Sequence, residues 1–371
     1  MRIAPLLPLV IAVLFLSIAR AQDETAPRRL PRENLLVYRD AANHLKTVTS
    51  IADWQKRRAE ILAGMQTVMG KLPGDEKRCP LDVQVHEEVD CGKYVRRLIS
   101  YQAEPGSRVP AYLCLPKGVL EKDAPPVHAA LCLHGTDNVI GHGTVVGLGR
   151  PNRNYAGELA ERGWVTLAPN YPLLAKYQPE LETLGWESGT LKAVWDNTRG
   201  LDLLETLSYV KHGHYAAIGH SLGGHNSVYT AVFDPRIGAV VTSCGLDSYL
   251  DYYQGKPEVW QPGHGWTQVR YMAKLADYRD QLDTIPFDFH EMIGALAPRP
   301  VLIIAPLRDS NFRHESVDQV AAAAGQVYQL YGQPNGLQVL HPDVEHDFPR
   351  EMREAAYTFL EKSLNAKPPQ N

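Results

Sequence analysis

The chain has 371 residues, 44% hydrophobic and 22% charged, an ordinary balance for a globular protein. Its formal net charge of −4 excludes the basic footprint of a nucleic-acid binder. The length allows one large α/β domain with decorations, or two domains, and no internal repeat is visible.

The first residues read as a targeting segment. Arg2 is a short positive start, Pro5 to Ile18 is apolar, and Ala19-Arg20-Ala21 is a small-residue cleavage site. The apolar run is shorter than the roughly 20 residues a spanning helix needs. Residues 1–21 are therefore expected to be a signal peptide. The mature chain would be secreted or periplasmic, with no membrane attachment once the signal is removed. Five cysteines leave at least one thiol free. Cys114, Cys132 and Cys244 lie in apolar runs and read as small buried hydrophobes. Cys79 and Cys91 flank one strand candidate, and export would permit a disulfide between them.

Residues 22–80 read as an arm and a helix packed on the main domain. Ser50 with Asp53 three residues on resembles a capping box. Trp54, Ile61, Leu62, Met65, Val68 and Met69 then follow near helical spacing, and Gly70 and Pro73 stop the helix. Three strands are expected next, Leu81 to Val89, Tyr94 to Tyr101 and Val109 to Leu115, as an antiparallel opening to a sheet. From Val127 the pattern alternates. Strands are expected at His128–Leu133, Trp164–Ala168, Tyr215–Ile218, Ile237–Thr242, Val301–Ala305 and Gln338–Leu340. Helices are expected at Tyr155–Arg162, Leu191–Val210, after residue 221, and at Arg350–Leu364. Apolar strands alternating with helices predict a mostly parallel sheet covered on both faces. The main domain spans 81–365, with insertions at about 170–190 and 245–286, and 366–371 is a tail. Both insertions follow strand C-terminal ends, where open α/β sheets place their sites.

Gly219-His220-Ser221-Leu222-Gly223 is a Gly-x-Ser-x-Gly pattern between a strand and a helix. That context makes Ser221 a candidate nucleophile. A serine hydroxyl needs a base, and the base needs an orienting acid. Asp309, just past a buried strand, is the candidate acid, with Asp247 its rival. His346, between the last strand and the last helix, is the candidate base, with His341 the alternative. The oxyanion of a tetrahedral intermediate needs backbone donors. Leu222 N–H is one. The second comes from His134-Gly135-Thr136, from Thr136 or else from Gly135. His220 reads as support for the turn or as pocket wall, with His134 beside it, and His225 as packing. Trp186, Trp260 and Trp266 lie in the insertions with Tyr171, Tyr252, Tyr253 and Tyr271, and are candidates to contact substrate. Trp195 reads as core, and Arg199 with Asp202 as an ion pair one turn apart. No Cys/His spacing matches a zinc site, and His290-Glu291 lacks the second His of a metalloprotease motif, so no metal is expected.

These motifs resemble the serine α/β-hydrolase superfamily, in particular its acetyl xylan esterase-like and dienelactone hydrolase-like members. The stretches that carry the likeness are Leu133-His134-Gly135, Gly219 to Gly224, Ala297-Pro298-Arg299-Pro300, Asp309 and His346-Asp347-Phe348-Pro349. The resemblance implies hydrolysis of a small-molecule or carbohydrate ester through an acyl-enzyme, with no cofactor. Two positions depart from relatives. Dienelactone hydrolases proper carry Cys as nucleophile, where this chain has Ser221. Secreted glucuronoyl esterases typically carry Arg after the Ser, and Leu222 here points away from that activity. A prolyl oligopeptidase-type peptidase and a catalytically silent binding protein are the alternatives. Oligomeric state is left open.

Overall fold

The computed structural model describes residues 29–366. The signal segment of residues 1–21 and the tail beyond 366 lie outside the described residues. A nine-stranded sheet runs through the molecule. Its strands are β3 (Gln84–Asp90), β4 (Tyr94–Glu104), β5 (Ser107–Pro116), β6 (Ala129–Leu133), β7 (Val165–Pro169), β8 (Tyr215–His220), β9 (Ile237–Ser243), β10 (Val301–Ile304) and β11 (Leu337–Leu340), in the spatial order β11-β10-β9-β8-β6-β7-β5-β4-β3. From β7 to β11 every neighbouring pair is parallel, while β7/β5, β5/β4 and β4/β3 are antiparallel. The long antiparallel pair β4/β5 needs only Glu104 to Ser107 to turn, whereas each parallel pair needs a crossover.

Central strands are apolar on both sides because both faces are covered. One face packs under α1 (Ile51–Met69), α3 (Gly189–Glu205), α4 (Leu222–Phe233), α5 (Phe289–Leu296) and α6 (His314–Leu330). The other packs under α2 (Tyr155–Glu161) and α7 (Arg350–Asn365), around Tyr155, Phe348, Tyr357 and Leu360. Ser50 caps α1, its hydroxyl accepting the Asp53 N–H. The arm before α1 carries a hairpin of β1 (Val37–Arg39) and β2 (Leu45–Thr47) that the sequence pattern did not mark.

Several expectations need correction. α3 stops at Glu205 instead of running to Val210, because Tyr209 to Lys211 bond the backbone of Val127 in extended form. α5 and α6 went unassigned. In α6, Val317, Val320, Ala324 and Val327 form the buried stripe. The insertion at 245–286 is a series of short 3-10 turns. All five cysteines are free. Cys79 lies beside Gln102 and Cys91 beside Tyr94, opposite ends of β4, roughly 25 Å apart at strand rise. A disulfide tolerates less than about 7 Å between Cα atoms, so Cys79 and Cys91 cannot pair in this fold.

Candidate active site

The order of the parallel strands reverses at β6, with β7 laid down on one side of it and β8 on the other. A crevice opens outside the strand ends at such a switch point. The loop after β6 and the turn after β8 meet there. Ser221 holds φ +57° and ψ −125°, a strained conformation for a residue with a side chain. Its N–H donates to Ser243 O at 2.8 Å. The turn closes only because its neighbours lack side chains. A Cβ on Gly219 would lie 2.1 Å from the Gly223 carbonyl carbon, and one on Gly223 would lie 1.8 Å from Leu133 O.

His346 Nδ1–H donates to Asp309 Oδ2 at 2.8 Å. That bond fixes the tautomer in which Nε2 is the proton acceptor. The Asp309 carboxylate is almost wholly buried, at 1% exposure, while His346 remains accessible at 24%. Asp309 Oδ1 accepts the N–H groups of Asn311 at 2.8 Å and Phe312 at 3.3 Å, so the acid is held on both oxygens. Asp347 anchors the His346 loop, accepting from Arg153 Nη1 at 2.6 Å and Asn152 Nδ2 at 2.7 Å. The rivals are engaged elsewhere. Asp247 accepts Arg313 N–H at 3.1 Å, and His341 bonds Ala305 O at 2.7 Å and Asp318 at 3.0 Å.

Gly135 packs against the elbow, a Cβ there falling 3.5 Å from Ser221 Cβ. The N–H groups of Gly135, Thr136 and Leu222 donate to no backbone carbonyl among the described residues. They are available to an oxyanion. The loop is braced from behind. His134 Nδ1–H donates to Gly135 O at 2.7 Å, and its Nε2 accepts Tyr171 N–H at 2.9 Å. Burial drives the His134 pKa down to about 4, and only the neutral ring can make both bonds. Thr136 Oγ1 and Tyr271 Oη lie 2.9 Å apart.

Two cavities meet at this point, sharing Thr136, Arg150, Ser221 and His346. The larger, about 520 Å³, is walled by Tyr252, Tyr253, Trp266, Tyr271 and Phe312. The smaller, about 90 Å³, is polar and is lined also by Gly135, Asp137, Arg153 and His220. Trp266 is clamped from behind by His225, whose ring stacks at 4.0 Å and 12°. His220 lies between His346 and Phe348, with ring centroids at 4.9 and 6.3 Å. Burial, then the charges of Arg153, His346 and Arg150, hold its pKa well below the usual imidazole value.

Some expected pocket residues lie elsewhere. Trp260 is fully buried against Tyr249 and Tyr252. Trp186 packs on Trp195 and donates to Glu104 Oε1 at 2.7 Å, beside the buried Lys192. Both fill core space beneath the insertions and line neither cavity. His134 faces the loop backbone and likewise lines neither cavity.

Sequence reasoning missed Arg150, Arg153, Phe312 and the setting of Cys244. Cys244 follows β9 at φ +49°. Its Sγ, an Asp309 oxygen and a His346 nitrogen lie within 4.8 Å of one another, the one cluster of possible metal ligands among the described residues. Burial, then the Asp309 carboxylate, push the Cys244 pKa well up, which keeps the thiol protonated. Only its place at a strand end could have distinguished it from any other buried Cys.

The structure is similar to a glucuronoyl esterase from Solibacter usitatus, with TM-score 0.70 and 18% identity over 89% of this chain and 97% of that one. The chain has the fold of the serine α/β-hydrolases. Residues 185–332 match the family model described as glucuronyl esterase, fungi. A 4-O-methyl-glucuronoyl methylesterase from Wolfiporia cocos is 25% identical over 188 residues, 46% of this chain and 45% of the relative. Carbohydrate esterase MZ0003, from an unknown prokaryotic organism, is 26% identical over 140 residues, 36% of this chain and 31% of the relative. The aligned part thus spans less than half the length of these curated relatives. Three of these four likenesses carry a glucuronyl or glucuronoyl name, and MZ0003 is named a carbohydrate esterase.

Proposed function

We propose that the chain is a serine carboxyl-ester hydrolase acting on a carbohydrate ester, in which the carbohydrate supplies the acyl group as a uronic acid. The carrying observation is the meeting of Ser221, His346 and the unbonded loop N–H groups where an aromatic cavity of about 520 Å³ joins a polar one of about 90 Å³. A sugar ring suits the aromatic chamber and a small polar group the other. Ser221 Oγ attacks the ester carbonyl carbon and passes its proton to His346 Nε2. Asp309 stabilises the imidazolium. Leu222 N–H and the Gly135–Thr136 backbone hold the oxyanion. The alkoxide leaves with the proton from His346. Water then opens the acyl-enzyme by the same route and releases the uronic acid. Export to the cell exterior or periplasm fits a polymeric substrate.

A second reading, deacetylation of a sugar hydroxyl, is favoured by Leu222, which puts an apolar side chain where the glucuronoyl pattern has Arg. A benzyl glucuronate ester, acetylated xylan and 4-nitrophenyl acetate separate the two. Hydrolysis of the uronate ester well above that of acetylated xylan supports the first; the reverse order supports the second. Ser221→Ala is expected to lower kcat on the preferred substrate by at least about 10⁴-fold. Retained activity in that variant rules out the nucleophile.

A further inference from the structure

Most arginines of this molecule either pair with a carboxylate or are buried against carbonyl groups. Arg150 and Arg270, which line the larger cavity, do neither. Neither has a carboxylate within 4 Å among the described residues, and Arg150 is exposed and makes no protein hydrogen bond there. Arg270 is held by neutral amides. Its Nη1 donates to Asn138 Oδ1 at 2.7 Å, its Nε to Gln268 Oε1 at 2.8 Å and its Nη2 to the same Gln268 oxygen, and its guanidinium lies 5.4 Å from the Tyr271 ring. Its backbone is fixed too, since Gly189 N–H donates to Val269 O at 3.2 Å and Thr190 N–H to Tyr271 O at 3.1 Å on either side of it. Amide acceptors orient a guanidinium without neutralising it. One carboxylate, Glu258, lines the same cavity and forms no ion pair among the described residues. Asp137, on the smaller cavity, turns Oδ1 to the N–H groups of Val139 and Ile140. The larger cavity is lined by two arginines against one carboxylate, in a chain whose net charge is −4.

Arg150, unpaired and lining both cavities with Ser221, leaves its planar fork free for a carboxylate, and Arg270, oriented by amides but not neutralised, adds a second fixed positive charge. A neutral ester has no group that requires it. We infer that the substrate is a partly esterified polyuronide, in which Arg150 and Arg270 bind a free carboxylate on a sugar next to the one carrying the scissile ester. This rests on the uronate-ester reading and narrows it: the polymer is acidic, not a neutral xylan with scattered substituents. The contact is made alike in ground and transition states, so it acts on KM more than on kcat.

The test compares two methyl esters, that of a single uronic acid and that of a uronic acid trimer with one ester and two free carboxylates. The expected kcat/KM is at least about tenfold higher for the charged trimer, mostly through KM. The preference is expected to shrink from 50 to 500 mM NaCl (about those concentrations), as screening requires. In Arg150→Gln/Arg270→Gln the ratio of the two kcat/KM values falls about tenfold. Equal losses on both esters, carried by kcat, overturn the inference and assign Arg150 to the oxyanion instead. No preference for the charged trimer also overturns it. A binding arm stands apart from activity. Calorimetry of Ser221→Ala with tri(galacturonic acid) is expected to show binding that the double arginine variant loses, with xylotriose as the neutral control. Equal binding of both trimers sinks the inference but not the esterase reading. Binding of the acidic trimer by a protein that hydrolyses neither methyl ester sinks the esterase reading but not the inference.

Discussion

In the proposed mechanism the chemistry at Ser221 and His346 depends on protonation. A base that takes the serine proton must be neutral, and histidine is the ordinary side chain whose charge changes between pH 5 and 8. Three further imidazoles crowd the site and could blur that dependence. Burial lowers the His134 pKa to about 4 and that of His225 to about 3, and holds His220 well below the usual value. A lowered imidazole pKa means the ring stays neutral until the pH falls below it. Through the working range these three remain uncharged; His264, on the wall of the larger cavity, is the imidazole left beside the base. The expected profile of log(kcat/KM) has an acid limb of unit slope, to which the three buried rings add nothing. A slope approaching two would show a second imidazole charging in step with the base. These shifts were not legible in the sequence. His134 and His220 look no different there from the exposed His44, because burial and the fields of Arg150 and Arg153 arise only on folding. The chain order of Ser221, Asp309 and His346 was legible, because strand ends lie where apolar runs stop.

At the scale of elements, the β8-turn-α4 unit explains why one stretch was so readable. Its glycines answer to contacts that permit no side chain. Gly223 lies where a Cβ would stand 1.8 Å from the Leu133 carbonyl oxygen, on the neighbouring strand. That obstacle is backbone within the sheet and cannot swing aside. Gly223→Ala is expected to push α4 from β6 and separate Leu222 N–H from Gly135 and Thr136. A displacement near 1 Å costs about 100-fold in kcat, and overpacking costs about 1–3 kcal/mol of stability. Gly325→Ala is the control. It lies in α6 with open space at its Cβ, and is expected to stabilise by about 0.5–1 kcal/mol. Activity near the parent level in Gly223→Ala would mean that the strand–helix approach does not set the oxyanion geometry. The aromatic insertions were less readable for a related reason. Trp260 and Trp266 have similar sequence surroundings, yet one is core and the other cavity wall. Which way a 3-10 turn faces depends on its neighbours: His225 stacks behind Trp266, and Tyr249 closes over Trp260.

Across the whole molecule, the N-terminal arm and the rim of the candidate site are tied through two buried carboxylates, Glu291 and Asp288. Glu291 on α5 is fully buried and pairs with Arg29 of the arm at 2.7 Å and Arg57 of α1 at 3.3 Å. Its second oxygen accepts the Asp288 N–H at 3.0 Å. Asp288 in turn pairs with Arg32 at 3.2 Å and accepts from Ser248 Oγ at 2.7 Å and Tyr249 N at 3.1 Å. From Tyr249 the chain leads directly into the aromatic wall of the larger cavity. Burial raises the Glu291 pKa, and the arginines oppose that shift. Removing one partner of such a cluster strands the others without water. Glu291→Ala is therefore expected to cost about 3–5 kcal/mol. Glu291→Gln keeps an acceptor for the Asp288 N–H and should cost less. A double-mutant cycle with Arg29→Ala, read by chemical denaturation, isolates the ionic part that reaches the arm. The two substitutions are expected to be non-additive by at least about 1 kcal/mol; agreement within about 0.5 kcal/mol would mean that the cluster does not bind the arm to the rim. The same variants should weaken substrate binding before they touch kcat, because the strain reaches Tyr252 and Trp266 through the Ser248–Tyr249 loop. Asp309 and His346 are held by their own loops and are spared.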